Sequence, residues 1–253
     1  MKLIAADRQN KIIETLNNNG SMKIAQLAQM FEVSKETIRR DLLYLNEIGA
    51  VKKSHGGALT SEYEFNTVSL ESRIDKNIDI KQKLCKKAAD YLVGNSVIFI
   101  DTGSTMQCMA QLLSQMSGYT IITNSLNAAN VLINSNNKTL LTGGQLNPQT
   151  MAVDGFQTTS FLEKIKVDVA FLGTNGFEQH NGPTGTDFSD IQTKQTIIGN
   201  AKISIVVTES RKNTYSALMQ YASWRDIDHL ITDSDLSPNT ISILENMTSL
   251  VLV

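Results

Sequence analysis

The chain of 253 residues has two cysteines, three histidines and little net charge, with 23 Lys and Arg against 25 Asp and Glu. It also lacks any apolar run long enough to cross a bilayer and any recognisable signal peptide. Each shortage excludes a class. Cys85 and Cys108 have no Cys-x-x-Cys spacing and lie in stretches of helical pattern. They read as buried small hydrophobes in a reducing compartment, not as a disulfide framework. His55, His180 and His229 are too scattered for a structural metal site, and nothing calls for a cofactor. The protein is expected to be soluble and cytoplasmic. A formal pI near 5.9 argues against a nucleic-acid partner for the molecule as a whole, but the charge is segregated. The first 60 residues carry nine Lys and Arg against six Asp and Glu, and the remainder 14 against 19.

The basic portion holds the most informative segment, Phe31-Glu32-Val33-Ser34-Lys35-Glu36-Thr37-Ile38-Arg39-Arg40-Asp41-Leu42. The Ser34 hydroxyl can accept from the free amides of a first helical turn just after the apolar Val33. At about 100° per residue, Ile38, Leu42 and Leu45 share one sector, and Lys35, Glu36, Thr37, Arg39 and Arg40 fall outside it. Upstream, Ile24, Leu27, Ala28 and Phe31 repeat at helical spacing. Ile12, Ile13 and Leu16 form a preceding helix closed by Asn18-Asn19-Gly20. This predicts a helix-turn-helix over about 22–41 whose second helix enters the major groove, with Ser34, Lys35, Glu36, Thr37, Arg39 and Arg40 as contacts. Taken alone, Arg39-Arg40-Asp41 reads equally well as a solvated face with local ion pairs. The following stretch from Ala50 to Leu59 has the pattern of a short hairpin turning on Gly56-Gly57, where a basic wing would bring Lys52, Lys53 and His55 to phosphate or the minor groove.

These motifs, Val33-Ser34 through Thr37 to Leu42, Leu45, and His55 to Ala58, resemble the hallmark of the DeoR family of bacterial transcriptional regulators. The resemblance implies a winged helix-turn-helix over 1–60, a linker over 61–78, and a sensor and oligomerisation domain over 79–253. Double-stranded operator DNA, a phosphorylated sugar and further copies of the chain (a dimer or tetramer) would be its partners, with no membrane.

Beyond the linker, short apolar strands alternate with helical stretches: 96–100, 119–122, 139–141, 167–172, 203–207, 229–231 and 250–253. This is the rhythm of an α/β domain with a largely parallel sheet, and ligands of such folds gather at the carboxyl ends of strands. Polar clusters stand there in succession. Asp101-Thr102-Gly103-Ser104-Thr105 opens a helix and suits a phosphate; Thr123-Asn124-Ser125, Thr142-Gly143-Gly144 and Gly173-Thr174-Asn175-Gly176 follow later strands. Any one of them can be merely a turn or a helix cap. Together they resemble the DeoR sensor pattern, a fold the family shares with ribose-5-phosphate isomerase and coenzyme A transferases. The chain departs from that pattern at Asp190, where glutamate is common, and at Thr208-Glu209-Ser210-Arg211-Lys212, which replaces "ADSSK". Lys194 and Lys212 are candidates to neutralise a phosphate or, equally, solvated surface lysines.

The resulting expectation is a repressor of a carbohydrate-utilisation operon relieved by a phosphosugar, with no catalytic residues. The alternatives are an isomerase-like enzyme fused to a DNA-binding domain, an effector-dependent activator, or a DNA-binding protein with no ligand. Asp101, Asp190, Glu209 and Lys194 are the raw material for acid–base chemistry, though no motif assigns them that role.

Overall fold

The computed structural model describes residues 5–19, 21–47, 51–54, 57–60, 70–178 and 181–253. The chain divides into two units, Met1–Val68 and Ser69–Val253.

In the first unit, α1 (Ala5–Asn19), α2 (Ile24–Met30) and α3 (Lys35–Glu47) share a core with a three-stranded antiparallel sheet. Strands β1 (Ser21–Lys23), β2 (Val51–Ser54) and β3 (Gly57–Thr60) lie in the order β1-β3-β2. Ile12, Leu16, Leu27, Ile38, Leu42, Leu45 and Val51 are buried together, which is the apolar stripe of each helix turned inward. The chain turns between α2 and α3 through Glu32 at φ 53. Ser34 then starts α3 by accepting from the Thr37 amide at 3.1 Å, leaving one fewer orphan donor at the helix start. One polar pair lies beside this core. Arg8 of α1 makes a two-pronged ion pair with Asp41 of α3, Nε to Oδ2 at 2.6 Å and Nη2 to Oδ1 at 3.1 Å, and both residues are buried.

The second unit begins with α4 (Leu70–Ile74), inside the stretch the sequence assigns to a linker; Leu70 is buried there. After α5 (Ile78–Ala88) comes a seven-stranded sheet. Its strands are β4 (Val97–Ile100), β5 (Ser117–Thr123), β6 (Asn136–Leu141), β9 (Val167–Leu172), β11 (Ala201–Val207), β13 (His229–Thr232) and β14 (Ser249–Leu252). Every pairing in it is parallel. Helices α6 (Ser104–Ser114), α7 (Leu126–Leu132), α8 (Phe156–Leu162), α9 (Phe188–Ile198) and α10 (Pro238–Glu245) fill the connections. Two short hairpin-like pairs, β7 (Gln145–Asn147) with β8 (Ala152–Asp154) and β10 (Thr184–Gly185) with β12 (Met219–Gln220), stand apart from the sheet.

The sheet is covered on both faces, as a parallel sheet with helical crossovers must be. Alternate residues of each central strand feed opposite cores. Ile98, Ile100, Val169, Phe171, Ile205 and Val207 pack with residues of α5, α6 and α7. Phe99, Ala170, Leu172, Val206 and Leu230 pack with α8, α9, α10 and Trp224. The strand order is β14-β13-β11-β9-β4-β5-β6. The chain therefore starts in the middle at β4, runs out to β6, crosses back to β9 and runs out the other way. Connections leave the carboxyl ends of β4 and β9 in opposite directions, and this switch point is where ligands of such sheets gather.

Candidate functional site

Two surfaces stand out, one on each unit. On the first, Lys35, Glu36, Arg39 and Arg40 of α3 are exposed while Ile38, Leu42 and Leu45 are buried. Arg39 pairs locally with Glu36 at 3.2 Å, and Ser34 and Thr37 link hydroxyls at 2.9 Å. Asp41 belongs to neither the exposed face nor the local pairing; it turns inward to Arg8, with Gln9 adding a bond at 3.1 Å. The basic face of α3 is thus free of the core and able to meet a polyanion. Lys52 and Lys53 sit on strand β2, but their side chains, and His55 altogether, lie outside the described residues.

On the second unit the strand-end clusters divide by what each side chain does. Thr123 and Ser125 serve the fold. The Thr123 hydroxyl donates to the Ile100 carbonyl at 2.7 Å and accepts from the Ser125 amide at 3.0 Å, and Ser125 caps α7. Gly144, at φ +143, packs so closely that a Cβ there would sit 2.5 Å from the Asp154 carbonyl oxygen. Gly143 accepts from Thr158 at 2.6 Å, and Gly176 and Asn175 hold the bridge to Thr184 through their backbones.

Asp101, Asn124 and Lys194 instead converge. Asp101, wholly buried at the end of β4, accepts from the Gly173 amide at 2.9 Å and meets Lys194 Nζ at 3.2 Å. Lys194 also pairs with Asp190, one turn earlier on α9, and lies 5.7 Å from the centre of the Tyr221 ring. Tyr221 donates to the Gly173 carbonyl at 2.7 Å. Asn124 donates to Asp154 at 3.0 Å, and Asp154 also accepts from Thr193. Burial disfavours the charge on Lys194, but Asp101 and Asp190 outweigh it and hold the ammonium protonated. Burial raises Asp101, with Lys194 opposing and Asp190 adding to the rise. Burial, and then Asp190, pushes Asp154 up to about 6. Among the described residues, Asp101 Oδ1, Asn124 Oδ1 and the Thr142 hydroxyl are buried without a hydrogen-bond partner.

Thr102, Gly103 and Ser104 are half-buried at the start of α6. Gly103 adopts φ +115, with nothing within 4 Å of where a Cβ would project. This helix end, with its outward amides, is a natural receiver of negative charge. Five cations, Arg73, Lys76, Lys81, Arg211 and Lys212, gather around the carboxylate Glu209. Burial, then Arg73, pushes Lys212 down to about 7, with Glu209 partly offsetting. Burial likewise lowers Lys81, which donates to the carbonyls of Arg73, Ile74 and Lys76. Glu209 is raised by burial and brought below the usual range by Arg211 and Asn77, both of which donate to it. Lys212 donates to the Thr174 carbonyl.

The sequence reading did not single out Lys81, Arg73, Lys76, Asp154 or Tyr221. Lys81 carried a signal: it stands on the stripe of Leu84, Cys85 and Ala88, where a lysine must find partners or be expelled. Lys194 sits in the same way between Ile191 and Ile197 and is buried, not solvated. Among the described residues no group of three or more His, Cys, Asp or Glu can hold a metal ion, and no helix is long and apolar enough to cross a membrane.

Comparison with known proteins agrees with this division. A model of the DeoR-like helix-turn-helix domain matches residues 8–63, and one of the DeoR C terminal sensor domain matches 76–234. The chain is 32% identical to an uncharacterized HTH-type transcriptional regulator of Bacillus subtilis, YulB, over 96% of this chain and 95% of that one. It is 30% identical to the glycerol-3-phosphate regulon repressor of Escherichia coli, over 95% and 94%. Among solved structures, ribose 5-phosphate isomerase A of Methanocaldococcus jannaschii is similar at 20% identity and a TM-score of 0.38, over 52% of each chain, a likeness too loose to bear on activity.

Proposed function

The chain belongs to the DeoR family of transcriptional regulators, and from that premise we propose that it is a sequence-specific DNA-binding repressor released by a phosphorylated sugar or polyol. The observation that carries the reading is the pairing of an exposed basic helix face on one unit with a polar, partly unsatisfied strand-end crevice on the other. Helix α3 presents Lys35, Thr37, Arg39 and Arg40 to the major groove. Arginine there suits guanine edges or phosphates, and the wing lysines Lys52 and Lys53 add salt-dependent affinity. The phosphate of the effector is received by Thr102–Thr105 at the start of α6, with Lys212 and its cationic neighbours supplying charge. The carbon chain reaches Asp101, Asn124 and Lys194. Binding can shift the protein away from its DNA-bound arrangement only by the difference in effector affinity between the two arrangements. Half-sites in the operator then follow from self-association of the sensor domain.

Asp101 beside Lys194 also favours a second reading, proton transfer on a sugar phosphate. Lys194 is tied to two carboxylates and Asp101 Oδ2 to Lys194 and the Gly173 amide, and membership of a regulator family favours holding a ligand over turning one over.

Fluorescence anisotropy on DNA from upstream of the protein's own gene, titrated with sugar phosphates and their unphosphorylated parents, tests the proposal. Release by a phosphorylated compound and not by its parent is expected. Tight binding indifferent to every compound removes the effector half of the reading, tighter binding reverses its sign, and turnover lost in Asp101→Ala favours the enzyme.

A further inference from the structure

The strand-end crevice has unlike ends. Toward α4, α5 and residues 209–212 stand Arg73, Lys76, Lys81, Arg211 and Lys212 around Glu209, with Asp233 bonded to Ser210. Toward β5, β8 and α9 stand Asp101, Asp154 and Asp190 around Lys194. That lysine's single positive charge is already shared between two carboxylates, since Asp101 and Asp190 both pair with it directly. A further carboxylate arriving there would meet three of its own sign.

The same end offers a buried hydrogen-bond acceptor that none of the described residues satisfies. Asn124 turns its amide NH2 to the Asp154 carboxylate, which fixes its carbonyl oxygen as the free atom. That oxygen is buried and unpartnered among the described residues, and Asp101 Oδ1 accepts from no side chain among them. Buried acceptors without donors are costly, and hydroxyl groups are donors of the right size. A carboxylate or phosphate at neutral pH offers them no proton.

We infer that the crevice selects a monophosphate whose far end is an uncharged, hydroxyl-bearing carbon chain, and rejects analogues with a second anionic group at that end. The inference rests on the phosphosugar reading above and adds to it a specificity that the phosphate alone does not give. Asp101, Asp154 and Asp190 are its specificity determinants, acting by repulsion as much as by attraction. Asn124 supplies the positive recognition.

Matched pairs that differ only at the terminal carbon test this: sorbitol 6-phosphate against 6-phosphogluconate, and glycerol 3-phosphate against 3-phosphoglycerate. Binding of each to the full-length chain is measured by isothermal titration, with inorganic phosphate alongside. The hydroxyl-ended member of a pair is expected to bind at least about tenfold more tightly. The half-buried Asp190→Asn, a substitution the fold tolerates more readily than one at wholly buried Asp101, is expected to narrow that ratio. Equal or tighter binding of the carboxylate members overturns the inference and leaves the phosphate site standing, as does binding of inorganic phosphate with none of the four. A ratio unchanged in Asp190→Asn removes the carboxylates as its origin and likewise overturns it. If neither inorganic phosphate nor any of the four binds, the phosphosugar reading itself falls and this inference with it.

Discussion

Replacing Asp41 by alanine removes one side of the ion pair that ties α1 to α3 and takes from the Arg8 guanidinium its two-pronged buried partner. Both residues are nearly inaccessible, Arg8 8% and Asp41 4% exposed. The geometry is two-pronged, with Asp41 holding the guanidinium firmly protonated. Breaking such a pair from one side costs about 3 to 5 kcal/mol when it is fully dry. In so small a unit the lower figure applies, because water is never far from the pair. A domain of this size has roughly 3 to 9 kcal/mol of stability in all, so Asp41→Ala should leave the first unit largely or partly unfolded at 37 °C. Two-wavelength urea denaturation, or calorimetry read with limited proteolysis, would resolve an early transition for residues 1–68 while the second unit melts as before. DNA affinity should collapse, and sugar-phosphate binding should persist. A control separates charge from packing: Arg8→Met with Asp41→Leu should recover most of the loss, since apolar side chains of similar volume can replace a buried pair at little cost. An Asp41→Ala protein that melts like the wild type would refute the view that this pair holds the helix-turn-helix together.

Arg40→Ala should weaken operator binding by about 1 to 3 kcal/mol if the side chain reads a base, without changing effector binding; an unchanged operator affinity by anisotropy would take Arg40 off the reading surface. Asp154, pushed up to about 6, contributes stability that is complete below its unfolded value near 4 and lost as pH rises through about 6. The urea midpoint of the second unit should therefore fall between pH 5 and 7.5, and Asp154→Asn should flatten that slope; parallel profiles for the two proteins would contradict it. Lys212, pushed down to about 7, must be protonated to assist an anion. Phosphosugar affinity should therefore decline as pH rises above about 7, and Lys212→Arg, which stays charged, should abolish the decline; titration calorimetry at pH 6.5 and 8.5 is enough to see it.

Much of this architecture is legible along the chain. Ile38, Leu42 and Leu45 announce α3, and apolar runs such as Val97–Ile100 announce the strands of the sheet, because residues buried on both faces have no polar partner in the pattern to confuse them. What escapes notice is short or depends on distant contacts. Strands β7, β8, β10 and β12 have two or three residues each, too few to establish a period. Asp154 matters only because β8 brings it to Asn124, 30 residues away, and to Thr193, 39 away. The clusters after β4, β5, β6 and β9 were visible as clusters, but their division into groups that serve the fold, such as Thr123 and Ser125, and groups left unsatisfied, such as Asn124, needed coordinates. Asp41 is the sharpest case: it sits in a run of charges that looks uniformly solvated, and a partner on another helix pulls it inside.

Lys81 has an implication for anyone wishing to rebuild this regulator. Its ammonium gathers the carbonyls of Arg73, Ile74 and Lys76, so the end of α4 is part of the sensor's own fabric and not a tether. A chimera that grafts a foreign DNA-reading module onto this sensor should join upstream of Leu70, leaving α4 intact. A junction cut just before Asn77, though it looks like the tidier start of a sheet domain, would discard the acceptors of a buried lysine and deliver a sensor that fails before it can report.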